Sequence, residues 1–437
     1  MIKVAKFGGS SLADANQFRK VANIVHADKS RRYIVPSAPG KRSQDDIKVT
    51  DMLYECYHKA NEKKDFSEKL KAIKDRYQMI IDDLSLSISL ELDFLEIETV
   101  LNSADISLDY LASRGEYLNG KLLACYLNFT FVDPKEVIIF SNQGNLLADE
   151  TNELLSKYLI NIEKAVIPGF YGADETGRIK IFSRGGSDIT GSIVARAVKA
   201  SIYENWTDVS GFLVSDPRIV KDAEVIDLIT YKELRELSYM GAEVLHEEAV
   251  FPIRKEGIPI NIKNTNSPLD YGTMIVDSTD LKPEHIITGI AGKKNFVAIN
   301  IEKELMNSEV GFGRKVLGVF ENNGIPFEHA PSGIDTMTVF VHHSQFDEKE
   351  TSVLSSLQKD LQLDSIDVEK DFALIAIVGR GMRGNIGIAS RIFNALAKRS
   401  INIKMIVQGP SELNIILGVK NSDFEIAIQA LYDEFVK

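Results

Sequence analysis

Apolar and polar residues alternate along the first residues of the chain, Lys3-Val4-Ala5-Lys6-Phe7, which predicts a strand. It runs into Gly8-Gly9-Ser10-Ser11, and apolar residues then return at helical spacing as Phe18, Val21, Ile24 and Val25. A second strand is expected at Tyr33-Ile34-Val35, ending in Pro36-Ser37-Ala38-Pro39-Gly40. Strand, helix, strand in so short a stretch reads as a parallel βαβ unit. From about residue 50 to 126 the period is helical, with long charged faces such as EKKDFSEKLKAIKDRYQMIIDDL. Most of these charges are expected to be solvated helix faces. Strands are then predicted at 129–132 and 137–140, a helix near 151–160, a strand at AVIPGF, and a hairpin through Ala173-Asp174-Glu175-Thr176-Gly177 into residues 179–182. The loop Ser183-Arg184-Gly185-Gly186-Ser187-Asp188 and the helical run GSIVARAVKA follow. Alternating α and β elements to about residue 280 predict one large α/β domain over 1–280.

The remainder repeats itself at a constant offset of 76: Phe296, Ile299, Ile301, Met306, Gly311, Ile325 and Gly333 recur as Phe372, Ile375, Ile377, Met382, Gly387, Ile401 and Gly409. Two small α+β modules, 281–362 and 363–437, are expected, each running strand, Gly-containing loop, helix, strand, turn, strand and a last helix. Gly311 and Gly387 fall just before a helix. A glycine there serves either turn geometry or the approach of a small ligand's carboxylate to backbone amides.

Composition narrows the function. Across 437 residues the formal net charge is -12, and no basic stripe offsets it, so nucleic acid is not the expected partner. No apolar run approaches the length of a membrane span, and the N-terminus reads as a strand and not as a signal peptide. A cytoplasmic protein acting on small molecules is the expectation. Cys56 and Cys125 lie in amphipathic segments without metal-site spacing and are expected to be buried thiols. The seven histidines show no metal-binding spacing, and His342-His343 reads as a solvated strand end.

Candidate chemistry sits in four stretches. Lys6 stands at the carboxyl end of the first parallel strand, where open α/β sheets bind ligands, and the glycines after it let amides approach phosphate oxygens. This is neither the spacing of a P-loop nor that of a dinucleotide fold. Arg184 to Asp188 repeats the design with a cation, two glycines, a hydroxyl and a carboxylate; Ser187 or Asp188 would also serve as a plain helix cap. Thr207-Asp208 and the Asp216-Pro217-Arg218 turn suit nucleotide contacts, although turn chemistry alone also yields Asp-Pro-Arg. In Ser113-Arg114-Gly115-Glu116, Glu116 reads either as an exposed helix charge or as a receptor for a substrate ammonium.

Together the stretches KFGGSSLAD, SRGE, SRGGSD, WTDVSG, SDPR and GAEVLH resemble the amino-acid kinase family, and within it the aspartokinases. The tail, with FGRKVLGVFENNGI in one copy and GNIGIASRIFNALAKRSINIKMIVQG in the other, resembles that family's paired ACT regulatory domains. The resemblance implies an open, mainly parallel sheet sandwiched by helices, followed by two ferredoxin-like modules. It also implies transfer of the γ-phosphoryl of ATP, with Mg²⁺, to the side-chain carboxylate of L-aspartate. Lys6 and Asp188 would be catalytic. Lys6, Phe7, Gly8, Gly9, Ser10, Thr207, Asp208, Asp216 and Arg218 would contact the nucleotide. Ser37, Thr50, Glu116 and Arg184 would hold aspartate. An amino-acid effector, lysine first and threonine second, would bind near Met306, Gly311, Phe312, Gly313, Ser332 and Asp335, in a homodimer or dimer of dimers. Two positions depart from the pattern: Glu243 stands where lysine is usual, leaving Arg218, Lys221 or Mg²⁺ to compensate, and Leu213 stands where tyrosine is usual. The polar loop KRSQDDIK is longer than in many members and is expected to reshape the mouth of the substrate site. Glutamate or acetylglutamate kinase, and a non-catalytic amino-acid-binding regulator, are the competing readings.

Overall fold

The first βαβ unit forms as its periodicity predicts: strand Lys3–Phe7, a tight 3-10 turn Gly9–Leu12, helix Ala15–Ala27 and strand Arg31–Pro36. Asp14 caps the helix by accepting from the Gln17 amide, and Phe18, Val21, Ile24 and Val25 are buried. The computed structural model describes residues 1–437 except 184, 243, 244, 246–250, 282 and 284. The chain divides into two compact units, Met1–Phe212 with Val225–Lys232 and Glu243–Thr279, and Leu213–Glu224 with Glu233–Ala242 and Asp280–Lys437.

In the first unit an eight-stranded sheet runs in the order Thr130–Phe131, Ala165–Val166, Arg31–Pro36, Lys3–Phe7, Ile202–Thr207, Ile260–Asn264, Thr273–Val276, Leu228–Thr230. All of its pairings are parallel except Ile260–Asn264 with Thr273–Val276. The strand ends therefore collect on one edge, where loops can share a ligand. Alternation sends Ala5 and Phe7 into a core made by helices Ala15–Ala27, Val49–Asn61, Ser67–Leu84, Glu91–Leu101 and Leu108–Leu127. Val4 and Lys6 point to the opposite face, which helix Gly186–Ala197 covers. A smaller sheet, Ile139–Phe140, Tyr171–Asp174 and Ile179–Ile181, carries the expected hairpin.

Helix Leu108–Leu127 departs from the solvated-face expectation, because Ser113, Arg114, Glu116 and Asn119 are all buried. Its glycines explain this: a Cβ on Gly115 would lie 2.8 Å from Ala38 Cβ, and one on Gly120 would lie 2.4 Å from Pro168 Cγ. The helix thus approaches the loops at the strand ends closely and carries its polar side chains with it. Cys56 is buried as expected, whereas Cys125 is exposed. That correction has a simple cause: Cys125 sits on the face of the same helix opposite its buried stripe.

The second unit holds a five-stranded antiparallel sheet in the order Thr336–His342, Gly289–Glu302, Ser365–Val378, Asn414–Lys420, Met405–Val407. The repeat is structural as well as sequential. Strands Gly289–Glu302 and Ser365–Val378 pair so that Gly289 faces Val378, Glu302 faces Ser365, and the equivalent residues Phe296 and Phe372 face each other. The two copies are thus related by a two-fold and share one sheet. Helix Phe312–Asn322 matches Ile388–Ala397, and Glu350–Leu361 matches Phe424–Phe435. The copies differ after the first helix. The second has strand Met405–Val407, while the first makes only isolated bridges, His329 with Phe340 and Ser332 with Met337. Pro326 and Pro331 lie in that stretch, and each lacks the N–H that a ladder needs.

Candidate active site

The glycine loop after the first strand is welded to its neighbours by backbone bonds. Gly8 N–H donates to Trp206 O at 2.9 Å, Ser37 N–H to Phe7 O at 3.0 Å, and Gly40 N–H to Gly9 O at 2.8 Å. Backbones approach so closely that a Cβ on Gly40 would stand 2.5 Å from the Gly9 carbonyl carbon and 2.6 Å from Ser10 N. Gly40→Ala is accordingly expected to destabilise the protein by about 3 kcal/mol through overpacking against rigid backbone, which a urea melt would show as a lowered midpoint. The Gly9 and Ser10 amides make no hydrogen bond within the described residues, so both remain available to an anion. Arg76 ties the walls together, donating to Ala13 O at 3.3 Å, Ile47 O at 2.8 Å and Gly40 O.

A cleft of about 560 Å³ opens at this edge, bounded by Gly8, Gly9 and Ser10, by Ser37 to Lys41, and by Thr50, Glu116, Thr207 and Asp208. The long polar loop does shape its mouth, contributing Lys41, Ser43, Gln44 and Lys48. The loop is held by Asp46, which accepts from Arg42 at 2.9 and 3.0 Å and lies 3.4 Å from Arg76. A larger cavity of about 980 Å³ lies elsewhere in the first unit and includes Ser183. Its Arg196 and Arg254 are already paired with Asp149, Glu256 and Asp277. The smaller cleft is the one that gathers the glycine loop and the strand-end hydroxyls.

Lys6 Nζ lies beside Gly8, one of the residues lining the cleft, 3.7 Å from where a Gly8 Cβ would be. It is only 8 % exposed and pairs with Asp188 Oδ1 at 2.5 Å. Asp188 is delivered by helix Gly186–Ala197, which begins after Gly185 at φ 56°, a conformation that favours glycine. Asn205, which sequence reasoning did not single out, completes the group: its Nδ2 donates to Asp188 Oδ1 at 2.9 Å and its Oδ1 accepts from Lys6 Nζ at 3.4 Å. A buried Asn inside a strand, where that residue is disfavoured, is the signal that would have marked it.

Glu116 is 6 % exposed. Burial pushes its carboxyl up to about 8, against the pull of the Ala38 and Glu116 amides and of Lys6. Its Oε2 has no hydrogen-bond partner among the described residues. A buried, unsatisfied acid beside a cleft is costly unless a ligand meets it. Asn119 supports the adjoining wall by donating to Ser37 O at 2.6 Å. The neighbouring Arg114 turns away, stacked 4.5 Å over Tyr110 and 4.3 Å over Tyr117.

Phe7, Asp216 and Arg218 are not among the residues lining the cleft. The Phe7 side chain is core, stacked on Trp206 at 5.9 Å, so its backbone alone faces the loop. Asp216 and Arg218 belong to the second unit, where they pair with each other at 2.6 Å. Leu213 also belongs there. Arg184 and Glu243 lie outside the described residues. For Mg²⁺, the described residues contain no cluster of three His, Cys, Asp or Glu side chains able to hold an ion. Asp208, at 3.2 Å from the Thr207 hydroxyl, offers a single carboxylate, which fits an ion that arrives on nucleotide phosphates with its own waters.

The proposed effector residues occupy one corner of the second unit. Gly311, at φ 80°, caps helix Phe312–Asn322, with Gly313 in its first turn. The Lys303 amide donates to Asp335 O at 2.9 Å and the Asn307 amide to Ile334 O at 3.1 Å. Met306 and Phe312 are core side chains, while Ser332 and Asp335 are exposed. Glu309, unmarked in the sequence, accepts from Lys303 and Lys315 at 2.7 and 2.6 Å.

Glycine-loop amides and strand-end hydroxyls share a cleft with a buried acid, beside a buried cation, in an α/β unit followed by a sheet of two paired modules. Residues 1–264 match the amino acid kinase family and residues 375–435 match the ACT domain. Aspartokinase 3 of Bacillus subtilis is 40% identical, over 99% of this chain and 98% of the relative. The solved aspartate kinase of Clostridium acetobutylicum is 49% identical with a TM-score of 0.91, over 99% of both chains. Aspartokinase III of E. coli is 26% identical in both of its solved states. With aspartate and ADP (R-state) the TM-score is 0.74 over 99% of both chains, and with lysine and aspartate (T-state) it is 0.75 over 100% of both. The chain belongs to the amino acid kinase family, among its aspartokinases. Among the described residues no helix is long and apolar enough to cross a membrane.

Proposed function

We propose that this chain transfers the γ-phosphoryl of ATP to the side-chain carboxylate of L-aspartate, forming 4-phospho-L-aspartate for lysine, threonine and methionine synthesis in the cytoplasm. The observation that carries this reading is one cleft lined by the Gly8 to Ser10 loop and by the buried acid Glu116, with the buried cation Lys6 next to Gly8. The E. coli relative solved with aspartate and ADP supports it.

The acceptor carboxylate is ionised at neutral pH, so no general base is required. One of its oxygens forms the new P–O bond while the bond from the γ-phosphorus to the bridging oxygen breaks and ADP leaves. The barrier is mainly repulsion among anions, with charge spread over the phosphoryl oxygens. Lys6 and the Gly8 to Ser10 segment lower it by presenting fixed positive charge and N–H dipoles. Asp188 keeps Lys6 aimed. Glu116 takes the substrate ammonium, Arg184 grips a carboxylate bidentately, and Ser37 and Thr50 add hydroxyl contacts. Thr207, Asp208, Asp216 and Arg218 serve the nucleotide. Mg²⁺, when bound, neutralises phosphate charge, and Asp208 is the side chain that would meet it or its waters.

Residues 1–280 form the kinase domain, and 281–362 and 363–437 the two regulatory modules. An end-product amino acid, lysine ahead of threonine, binds near Gly311 to Gly313 and Asp335 and inhibits, in an assembly of at least two chains. The E. coli relative solved with lysine supports lysine as first choice. Aspartate-dependent ADP release, measured with lysine, threonine and methionine singly and in pairs, tests the whole reading. Turnover suppressed by lysine is expected. No turnover with aspartate, ATP and Mg²⁺ would refute the activity, and inhibition by methionine alone would refute the effector.

A further inference from the structure

We propose that Asn205 is a positioning residue for phosphoryl transfer, holding Lys6 and Asp188 in one hydrogen-bonded triangle; this rests on the kinase reading above. Lys6 and Asn205 are direct partners in the parallel register between strands Lys3–Phe7 and Ile202–Thr207, so their side chains leave the sheet on the same face, side by side. Both are buried, Asn205 at 3 % exposure. An ammonium only donates and a carboxylate only accepts. These two neighbours therefore fix which end of the amide faces which: Oδ1 toward Lys6 Nζ at 3.4 Å, Nδ2 toward Asp188 Oδ1 at 2.9 Å. No other side chain of this size supplies one acceptor and one donor in that geometry.

The third member is anchored through the same strand. Tyr203, two residues back and on the same face, donates its hydroxyl to Asp188 O at 3.1 Å. Helix Gly186–Ala197 lies close enough for this because residue 191 is glycine; a Cβ there would meet the Tyr203 hydroxyl at 2.5 Å. The strand thus sets the height of Asp188 through Tyr203 and its angle through Asn205. Lys6 has three N–H bonds, and this arrangement occupies two of them, leaving the third for the phosphoryl oxygens. With an apolar residue at 205, Asp188 would be the sole holder of Lys6 in the triangle, and the ammonium would be drawn onto it and away from the cleft. With a carboxylate at 205, Lys6 would face two anions, and the added charge would oppose the incoming phosphoryl group.

Asn205→Leu and Asn205→Asp, compared with wild type in steady-state kinetics and thermal melts, test this. Asn205→Leu is expected to lower kcat about tenfold while the KM values for aspartate and ATP stay within about twofold, because the interaction matters in the transition state. Asn205→Asp, which is isosteric, is expected to lower kcat further without a matching fall in melting temperature. Should Asn205→Leu fail to fold, the Asp variant decides alone. Wild-type kcat in a folded variant, or losses that appear in KM instead of kcat, would overturn the proposal. Absence of aspartate-dependent turnover in wild type would instead overturn the kinase reading.

Discussion

Replacing Lys6 by alanine is expected to lower kcat about a thousandfold, at the upper end of what removal of a single transition-state stabiliser costs. The charge that Lys6 brings is buried and tethered at 2.5 Å to Asp188. It needs no reorganisation when negative charge spreads over the phosphoryl oxygens. Water filling the vacated space would have to reorient, and a surface lysine would arrive screened. Asp188→Ala is expected to cost about a hundredfold, because the ammonium remains but loses its holder. In both variants KM for aspartate should change little, since Glu116 and the hydroxyls remain in place. Coupled measurement of ADP release across substrate concentrations separates the two parameters. Normal turnover in both variants would refute the assigned roles.

Glu116→Gln is expected to raise KM for aspartate about a hundredfold, as breaking a buried charge pair between protein and ligand does, with a smaller effect on kcat. The pH dependence follows from the same residue. Its folded-state value is raised to about 8 from an ordinary 4.5 by burial. Between those values the unfolded chain has released the proton and the folded chain still holds it, so rising pH favours unfolding across that window and has no further effect above it. Wild type therefore carries a stability loss between pH 4.5 and about 8 that Glu116→Gln lacks, and the gap in melting temperature should widen with pH and then level off. Aspartate brings an ammonium that favours the ionised form. Binding below pH 8 should then release a proton, and affinity should rise with pH until about 8. Calorimetry in buffers of different ionisation enthalpy would detect the proton; its absence would show that Glu116 does not receive the ammonium.

Much of both units was legible as pattern. Period-two alternation at Lys3–Phe7, helical spacing at Phe18 to Val25 and the offset of 76 are local properties of the chain, set by which face each residue must bury. The motifs Lys6-Phe7-Gly8-Gly9 and Ser113-Arg114-Gly115-Glu116 were equally readable as candidates. What they could not reveal was depth. Glu116 had two readings, exposed charge or ammonium receptor, and only the close approach of Gly115 to Ala38, with the burial that follows, decides between them. Cys125 was misjudged for the same reason, since which side of a well-buried helix faces solvent depends on what packs around it. The sharing of one sheet by the two modules, and the loss of a strand at Pro326 and Pro331, also needed tertiary pairing to appear.

By itself, then, the amino-acid sequence determined the element types, the duplicated tail and the set of chemically capable loops, because each is written in spacing along the chain. Tertiary structure decided which of those residues meet: that Lys6 lies against Asn205 and Asp188, and that, among the described residues, the Gly9 and Ser10 amides and Glu116 Oε2 at the cleft are left without a hydrogen-bond partner. These are consequences of parallel register and backbone approach between segments up to two hundred residues apart. Proximity of that kind has no counterpart in local periodicity.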